Sequence, residues 1–236
     1  MSHMSDKIIF SLAGEEVWLF PERALFWKNA AALVIADPHI GKAGAFRAAA
    51  IAVPEDTTIA DLDRLSRLVV RCNPRVIIIL GDLLHARSGR TALTLATVAA
   101  WRARHADLDL ILVRGNHDAR AGDPPETWGI TCVDEPCSMP PFALCHHPDI
   151  HTNGYTLAGH LHPAARLTGA GKQRITLPCF WFGAQIGVLP AFGGFTGAKV
   201  ITPAPGDHVF VIADDTVIAV SDALSGTAPA QPASRE

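Results

Sequence analysis

The sequence predicts an α/β fold: a mainly parallel sheet covered by helices, with a second, largely antiparallel sheet packed on it. Three observations carry that expectation. Between Ala31 and Val113, continuous apolar runs alternate with stretches of helical period, and strand–helix alternation builds parallel sheets. After Asp118, short apolar runs follow one another across Pro/Gly loops with few helix-length patterns between them. At 236 residues, 49% of them apolar, the chain can bury a core large enough for one large domain or two small ones.

Taken in order, Ile8 to Leu12, Val17 to Phe20 and Ala24 to Trp27 read as short strands, with Gly14-Glu15 as a hairpin turn. Ala31 to Ala36 is apolar throughout, as a strand buried on both faces should be. Pro54-Glu55-Asp56-Thr57 opens a helix in which Ile59, Leu62, Leu65, Leu68 and Val69 recur at helical spacing. Asn73-Pro74 ends it, since proline cannot continue a helix. Asp61, Asp63, Arg64 and Arg67 read as its wet face. Arg75 to Leu80 is the next strand, Thr91 to Arg104 the next helix, and Leu108 to Val113 the third buried strand. Later strands fall near Ile130 to Val133, Phe142 to Cys145, Tyr155 to Ala158, Arg174 to Trp181 and His208 to Ile212, with Val217 to Val220 pairing across Asp214-Asp215. We expect a single domain over residues 1–222. Residues 223–236, rich in Ala, Pro, Ser and Gln without periodicity, read as a disordered tail.

Composition narrows the function classes. No apolar stretch approaches the ~20 residues that span a bilayer, and no charged-then-apolar leader pattern opens the chain. Met1-Ser2-His3-Met4 reads either as an expression remnant or as native sequence. The cysteines, Cys72, Cys132, Cys137, Cys145 and Cys179, are odd in number, form no C-x-x-C pair and lie in or beside apolar runs. They read as reduced, buried thiols of a cytoplasmic protein. A net charge of −3 gives no global reason to bind a polyanion.

The reactive residues cluster where apolar runs end: Asp37-Pro38-His39, Gly81-Asp82, Gly115-Asn116-His117-Asp118, Cys145-His146-His147-Pro148 and Gly159-His160-Leu161-His162. Ligands from several strand ends converge on one crevice in open α/β sheets. Asp37, His39, Asp82, Asn116, His146, His160 and His162 offer oxygen and nitrogen donors and no thiolate, a set suited to Mn²⁺, Fe or Zn²⁺. Seven donors exceed what one catalytic ion with an open position needs. They suit two divalent ions sharing a ligand, and Asp82 is the bridging candidate because a carboxylate has two oxygens. Two such ions arm a water and neutralise phosphoryl oxygens during in-line attack. His117 is then placed to protonate or stabilise the leaving oxygen, with Asp118 orienting its ring. A lone Asp-x-His or His-x-His is more often structural than a motif; the four main clusters in this order, each at a strand end, are not.

Asp37-x-His39, Gly81-Asp82, Gly115-Asn116-His117-Asp118, His146 and Gly159-His160-x-His162 together resemble the calcineurin-like metallophosphoesterase superfamily, over about residues 31–162. The resemblance implies a four-layer α-β-β-α sandwich of two mixed sheets flanked by helices, with a dinuclear centre. By it, Asp37, His39, Asp82 and His162 hold one ion, and Asp82, Asn116, His146 and His160 the other. Pro148 matches the superfamily's His-x-Pro form, which selects His146 over His147; His147 then points away or caps the loop.

Asp37-Pro38-His39-Ile40-Gly41-Lys42, Gly81 to Ala86, Cys145 to Pro148 and the Phe180 to Phe195 segment resemble the ligase-associated DNA damage response endonuclease family, PdeM, over nearly the whole chain before the tail. Pro38, where Leu is expected, departs from the pattern but is no donor. This resemblance implies an Mn²⁺-dependent phosphodiesterase or endonuclease of DNA repair, with DNA as the phosphodiester substrate. It also implies association with a DNA ligase, a helicase and an exonuclease encoded nearby. The rivals are a phosphomonoesterase or nucleotide hydrolase on the same centre, and a protein that keeps its metals only to dock on the ligase or helicase.

Substrate contacts are harder to read. His85, three residues after Asp82, touches a phosphate or makes a loop hydrogen bond. Arg87 and Arg120 are the arginines assigned to substrate; Lys42, Arg47, Arg90 and Arg114 also lie near ligand motifs, and only one or two such cations should serve. Gly41-Lys42 lacks P-loop spacing. Phe180-Trp181-Phe182 and Phe192-Gly193-Gly194-Phe195 stack on bases or, as aromatics in strands and glycine turns more often do, pack.

Overall fold

The structure is a computed structural model that describes residues 7–48, 50, 57–169 and 173–220. Strands β1 (Ile8–Leu12), β2 (Glu15–Phe20), β3 (Ala24–Trp27), β4 (Ala32–Ala36), β5 (Val76–Leu80), β6 (Asp109–Val113) and β7 (Ile130–Val133) pair in that order into one sheet. The pairs from β1 to β4 are antiparallel and those from β4 to β7 parallel. The first hairpin turns at Ala13-Gly14, with φ of 51° and 83°, one residue before the expected position. Two consecutive positive φ values are what a two-residue turn needs to match the strand twist.

Four helices accompany this sheet: α1 (Lys42–Ala48), α2 (Thr57–Cys72), α3 (Ala92–Arg104) and α4 (Asn116–Ala121). Alternate residues of the parallel strands enter two cores. Leu33, Ile35, Ile77, Ile79 and Leu112 pack under α2 and α3 against Leu62, Leu65, Leu68, Val98 and Trp101. Val34, Ala36, Ile78, Leu80 and Val113 face the second sheet and meet Phe142, Leu144, Leu157, Phe180 and Phe182. Burial on both faces is why these strands read as unbroken apolar runs.

The inward stripe of α2 is Asp61, Leu62, Leu65 and Leu68. Ile59 is 46% exposed and Asp61 only 8%, and Arg64 is half-buried against Asp61, so the expected apolar stripe is wrong at one position and the expected wet face at two. The helix ends as expected, with Asn73 at φ 45° donating its N–H to Val69 O at 2.9 Å before Pro74. Thr91 caps α3 by accepting from Thr94 N at 3.1 Å. Leu68 is fully buried, so Leu68→Ala should destabilise the metal-free protein by about 2–5 kcal/mol in urea unfolding. Val70→Ala, at a position 83% exposed, should change it by less than about 0.5 kcal/mol.

The second sheet holds β8 (Cys137–Met139), β9 (Phe142–Leu144), β10 (Tyr155–Ala158), β11 (Pro163–Thr168), β12 (Arg174–Phe182), β13 (Ile186–Val188), β14 (Lys199–Val200), β15 (His208–Ala213) and β16 (Thr216–Ala219). Their order is β14-β11-β12-β13-β10-β9-β8, with β15 on β12 and β16 on β15. This sheet is mixed. Its hairpins are antiparallel, but β10 runs parallel to both β9 and β13. The chain leaves β9 through the long 145–154 connection rather than a tight turn, so it can re-enter in the same direction. Among the described residues the four α-helices all precede residue 122 and the far face of the second sheet carries none; Leu167, Leu177 and Trp181 half-cover Ala165, Cys179, Val209 and Val211 there.

No helix among the described residues is long and apolar enough to cross a membrane. The five cysteines are unpaired, as expected. The expected helix opening at 54–56, Met1-Ser2-His3-Met4 and the 223–236 tail lie outside the described residues.

Candidate metal centre

Parallel pairing puts the C-terminal ends of β4, β5 and β6 on one edge of the first sheet, and the ends of β9 and β10 meet them there. Backbone hydrogen bonds close the joint: Asp37 N donates to Gly81 O (3.2 Å), His39 N to Asp82 O (2.9 Å), Gly159 N to His146 O (3.1 Å) and Phe192 N to Ala36 O (2.7 Å). All five motifs emerge at this edge. Asp37, His39, Asp82 and His146 are buried there, between 0% and 6% exposed.

The donors fall into two facing groups. On one side, the ligand atoms of Asp37, His39 and His162 lie within 4.8 Å of one another. His39 Nε2 is 3.3 Å from His162 Nε2, and Asp37 Oδ1 is 3.5 Å from the same His162 nitrogen. On the other side, His146 Nε2 is 2.9 Å from Asn116 Oδ1 and 3.1 Å from His160 Nδ1. Asp82 stands between the groups, with Oδ1 3.5 Å from His146 Nε2 and Oδ2 3.9 Å from His39 Nε2. One carboxylate oxygen faces each side, the disposition a bridging ligand requires.

These residues fit a pair of divalent cations. Asp37 Oδ1 is buried without a hydrogen-bond partner, although Oδ2 of the same carboxylate accepts from His160 N at 2.8 Å. A buried carboxylate oxygen facing only imidazole edges is costly unless a cation or proton meets it. Burial holds the His39 imidazole down to about 2, reinforced by His162 and His117. Burial lowers His160 too, ahead of His146. Their rings therefore present neutral lone pairs, the form that ligates metal. Burial raises the Asp82 carboxyl against the opposing pull of His146; its charge lacks compensation that a cation would supply.

The motif glycines have a purpose that spacing alone does not reveal: each lies against a ligand from a different motif. A Cβ on Gly81 would run into the His146 ring, one on Gly115 would collide with Asp82 Oδ1, and one on Gly159 would stand 2.5 Å from Asp37 Oδ2. Asp37, His39, Asp82, His160 and His162 all have left-handed φ, between 48° and 66°. Such backbone costs of order 1–3 kcal/mol per residue where it is strained and persists where surrounding structure imposes it, as at functional sites.

His117 lies in the first turn of α4, because its motif opens a helix rather than a loop. Its N–H donates to Asp82 Oδ1 at 2.8 Å, and its ring lies edge-on to His39 at 4.9 Å. Nδ1 is 2.6 Å from His85 O. A carbonyl only accepts, so Nδ1 carries the hydrogen and Nε2 is left for substrate. The expectation that Asp118 orients this ring is therefore corrected. Asp118 is 1% exposed and accepts from Leu84 N and Gly115 N, both at 3.0 Å, capping α4 and stitching two site loops together.

His85 resolves to the rim: its ring stacks on His117 at 4.8 Å, and its Nδ1 is 3.4 Å from His39 Nδ1. Arg87 and Arg120 are exposed and, among the described residues, make no hydrogen bond or ion pair with the cluster. Arg114 forks onto Asp123 (2.8 Å twice) and reaches Asp134 (2.9 Å); Arg90 binds the carbonyls of Ala121, Gly122 and Asp123. Both are committed to structure.

Sequence reasoning missed Glu135. Its Oε2 accepts from His146 N (2.7 Å) and His147 N (2.9 Å), and its Oε1 lies 2.6 Å from His147 Nδ1. It fixes the loop that delivers His146 and ties His147 away, although His147, His146 and His160 still have ring nitrogens within 4.8 Å of one another. Asp61 and Arg64, read as wet, anchor the segment opposite. Asp61 accepts from Gly194 N (3.1 Å), Arg64 binds Asp61 (2.8 Å) and Phe192 O, and Arg23 binds Gly193 O (3.2 Å). That segment then gives Gly197 O to His162 Nδ1 at 3.0 Å.

Two mixed sheets whose strand ends gather carboxylate, amide and imidazole donors into facing halves define a metal-dependent hydrolase of phosphoester bonds. The calcineurin-like phosphoesterase family model matches residues 31–176, more than half of the chain, and the chain belongs to that family. It is similar to the crystal structure of Pseudomonas putida nuclease MPE, with 42% identity and a TM-score of 0.79 over 90% of this chain and 99% of that one. It also aligns with Yfce, a phosphoesterase from E. coli, at 16% identity and a TM-score of 0.38, over 81% of this chain and 94% of that one. No curated protein matches the chain.

Proposed function

We propose that this phosphoesterase is a nuclease: it hydrolyses phosphodiester bonds in DNA with two divalent cations, Mn²⁺ foremost. The observation that carries the reading is Asp82 set between two donor groups with His117 beside it. Asp37, His39, Asp82 and His162 would hold one cation, and Asp82, Asn116, His146 and His160 the other. When bound, such a pair supplies Lewis-acid charge to the phosphoryl oxygens and lowers the pKa of a water. The all-O,N donor set favours Mn²⁺, Fe or Zn²⁺ over softer ions, and similarity to a nuclease at 42% identity supports the diester over the monoester. A role in DNA repair, with association to a ligase, helicase or exonuclease, goes with this reading, and co-purification with those three proteins tests it.

His117 does the proton work. With Nδ1–H held by the His85 carbonyl, Nε2 is the nitrogen left for substrate: when the ring also carries a proton there, Nε2–H donates it to the leaving oxygen and the ring returns to its neutral Nδ1–H form. His117→Ala should lower turnover on DNA by roughly 10²–10⁴-fold while metal content stays that of the wild type. The loss should be smaller on bis(p-nitrophenyl) phosphate, whose leaving group needs little protonation. Equal losses on both would remove the general-acid role.

The whole reading is tested by turnover of the purified chain with Mn²⁺, Fe or Zn²⁺ on mono- and diester nitrophenyl phosphates and on single-stranded DNA, with metal analysis alongside. Diesterase activity with about two ions per chain is expected. Monoester turnover without diester turnover would transfer the site to the phosphomonoesterase or nucleotide-hydrolase reading. Full metal occupancy without hydrolysis would leave only a docking role.

A further inference from the structure

One edge of the metal centre continues into aromatic side chains that neither metal binding nor proton transfer uses. Beyond His117 and His85, whose rings lie nearly parallel at 4.8 Å and 21°, comes Phe46 of α1, parallel to His85 within 18° at 6.1 Å. Phe195 meets Phe46 edge to face at 5.7 Å and 85°. The Lys42 ammonium lies 5.8 Å from one of these phenyl rings and 5.9 Å from the other. The fates of the other aromatics in the same stretch make Phe195 stand out. Phe180, Phe182 and Phe192 are at most 1% exposed and belong to the cores, whereas Phe195 is 44% exposed.

The position of Phe195 is built rather than incidental. Asp61, Arg64 and Arg23 clamp residues 192–194 just before it, and Gly197 just after it holds His162. Phe195 packs one edge on Phe46 and leaves the rest of its ring in water, at the end of a clamped loop and of a run of rings that leads to His117. It offers a π-face and, from Lys42, a positive charge beside it. That is how sequence-tolerant nucleic-acid sites hold a base and its phosphate.

We propose that Phe195, braced edge-on by Phe46 and accompanied by Lys42, is a stacking subsite for an unpaired nucleobase next to the scissile phosphate. The inference rests on the nuclease reading and adds to it the residues that would hold one base of the strand. A base paired within a duplex presents only its edges and cannot cover the ring.

The test measures kcat and KM with Mn²⁺ for the wild type, Phe195→Ala and Phe195→Trp on single-stranded oligothymidylate and on an abasic strand of equal length. On oligothymidylate, Phe195→Ala should raise KM roughly tenfold, the usual effect of losing one base–aromatic stack, and Phe195→Trp should restore it. The wild type should show the same raised KM on the abasic strand, and Phe195→Ala should raise it no further there. Equal effects of Phe195→Ala on the two strands, or none on oligothymidylate, would overturn the subsite while leaving the nuclease reading intact. Wild-type protein that hydrolyses bis(p-nitrophenyl) phosphate but neither strand would overturn the DNA reading and the subsite together.

Discussion

Asp82→Asn should reduce turnover on every phosphoester by on the order of 10³-fold or more, because it removes the charge that two bound cations would share. Asn keeps the shape and one oxygen, so the 2.8 Å bond from His117 N can survive. What it cannot keep is a second anionic oxygen facing the other donor group, where Oδ2 now looks toward His39. Metal analysis should find about two ions per wild-type chain and at most one in the variant. Stability separates this loss from misfolding. Burial raises the Asp82 carboxyl, ahead of the opposing effect of His146. A raised carboxyl pKa means the folded state favours the protonated form: the stabilisation is present below the unfolded value and disappears as pH rises through the folded one. The bare charge, where present, is therefore a burden on the metal-free fold, and Asn relieves it. The metal-free variant should melt at or above the metal-free wild type, whereas added Mn²⁺ should stabilise the wild type more. A variant that melts well below wild type without metal would show that Asp82 acts through packing.

How much of this was legible beforehand depended on the range of the interactions involved. The donor motifs were legible because strand period and apolar runs placed Asp37, Asp82 and Asn116 at neighbouring strand ends, and parallel sheets bring such ends together. The half-site membership of each donor came from family resemblance, not from spacing. Glu135 left no local signal: it acts on a loop eleven residues on, beyond β8 and β9. Asp118 was misread because sequence adjacency to His117 suggested contact, whereas opening a helix at Asn116 turns the third residue back onto the Gly115 N–H. Asp61 and Arg64 looked solvated because helical period alone does not reveal that the 191–194 segment crosses over α2. α1 and α4, seven and six residues long, are too short for a 3.6-residue period to stand out.

The glycines of the motifs carry the second large expectation. Gly81 has φ +78°, and a Cβ there would penetrate the imidazole of His146, with the ring's own Cβ only 2.7 Å away. His146 has nowhere to go: it is fully buried, its Nδ1 faces Leu80 O at 3.2 Å, and its N–H is held by Glu135 at 2.7 Å. Gly81→Ala should thus combine about 1–3 kcal/mol of backbone strain with about 1–3 kcal/mol of overpacking, and should displace His146 from Asn116 and His160. Gly122 is the internal control. Its φ is +83°, but a Cβ there would find only Arg90 Nη1, at 3.7 Å. Gly122→Ala should therefore carry the strain alone. Urea unfolding of the two metal-free variants measures the difference, and metal analysis should show one ion lost from the Gly81→Ala chain with both retained in Gly122→Ala. If the two substitutions destabilise equally and spare both ions, close approach of backbone to ligand is not why glycine precedes Asp82.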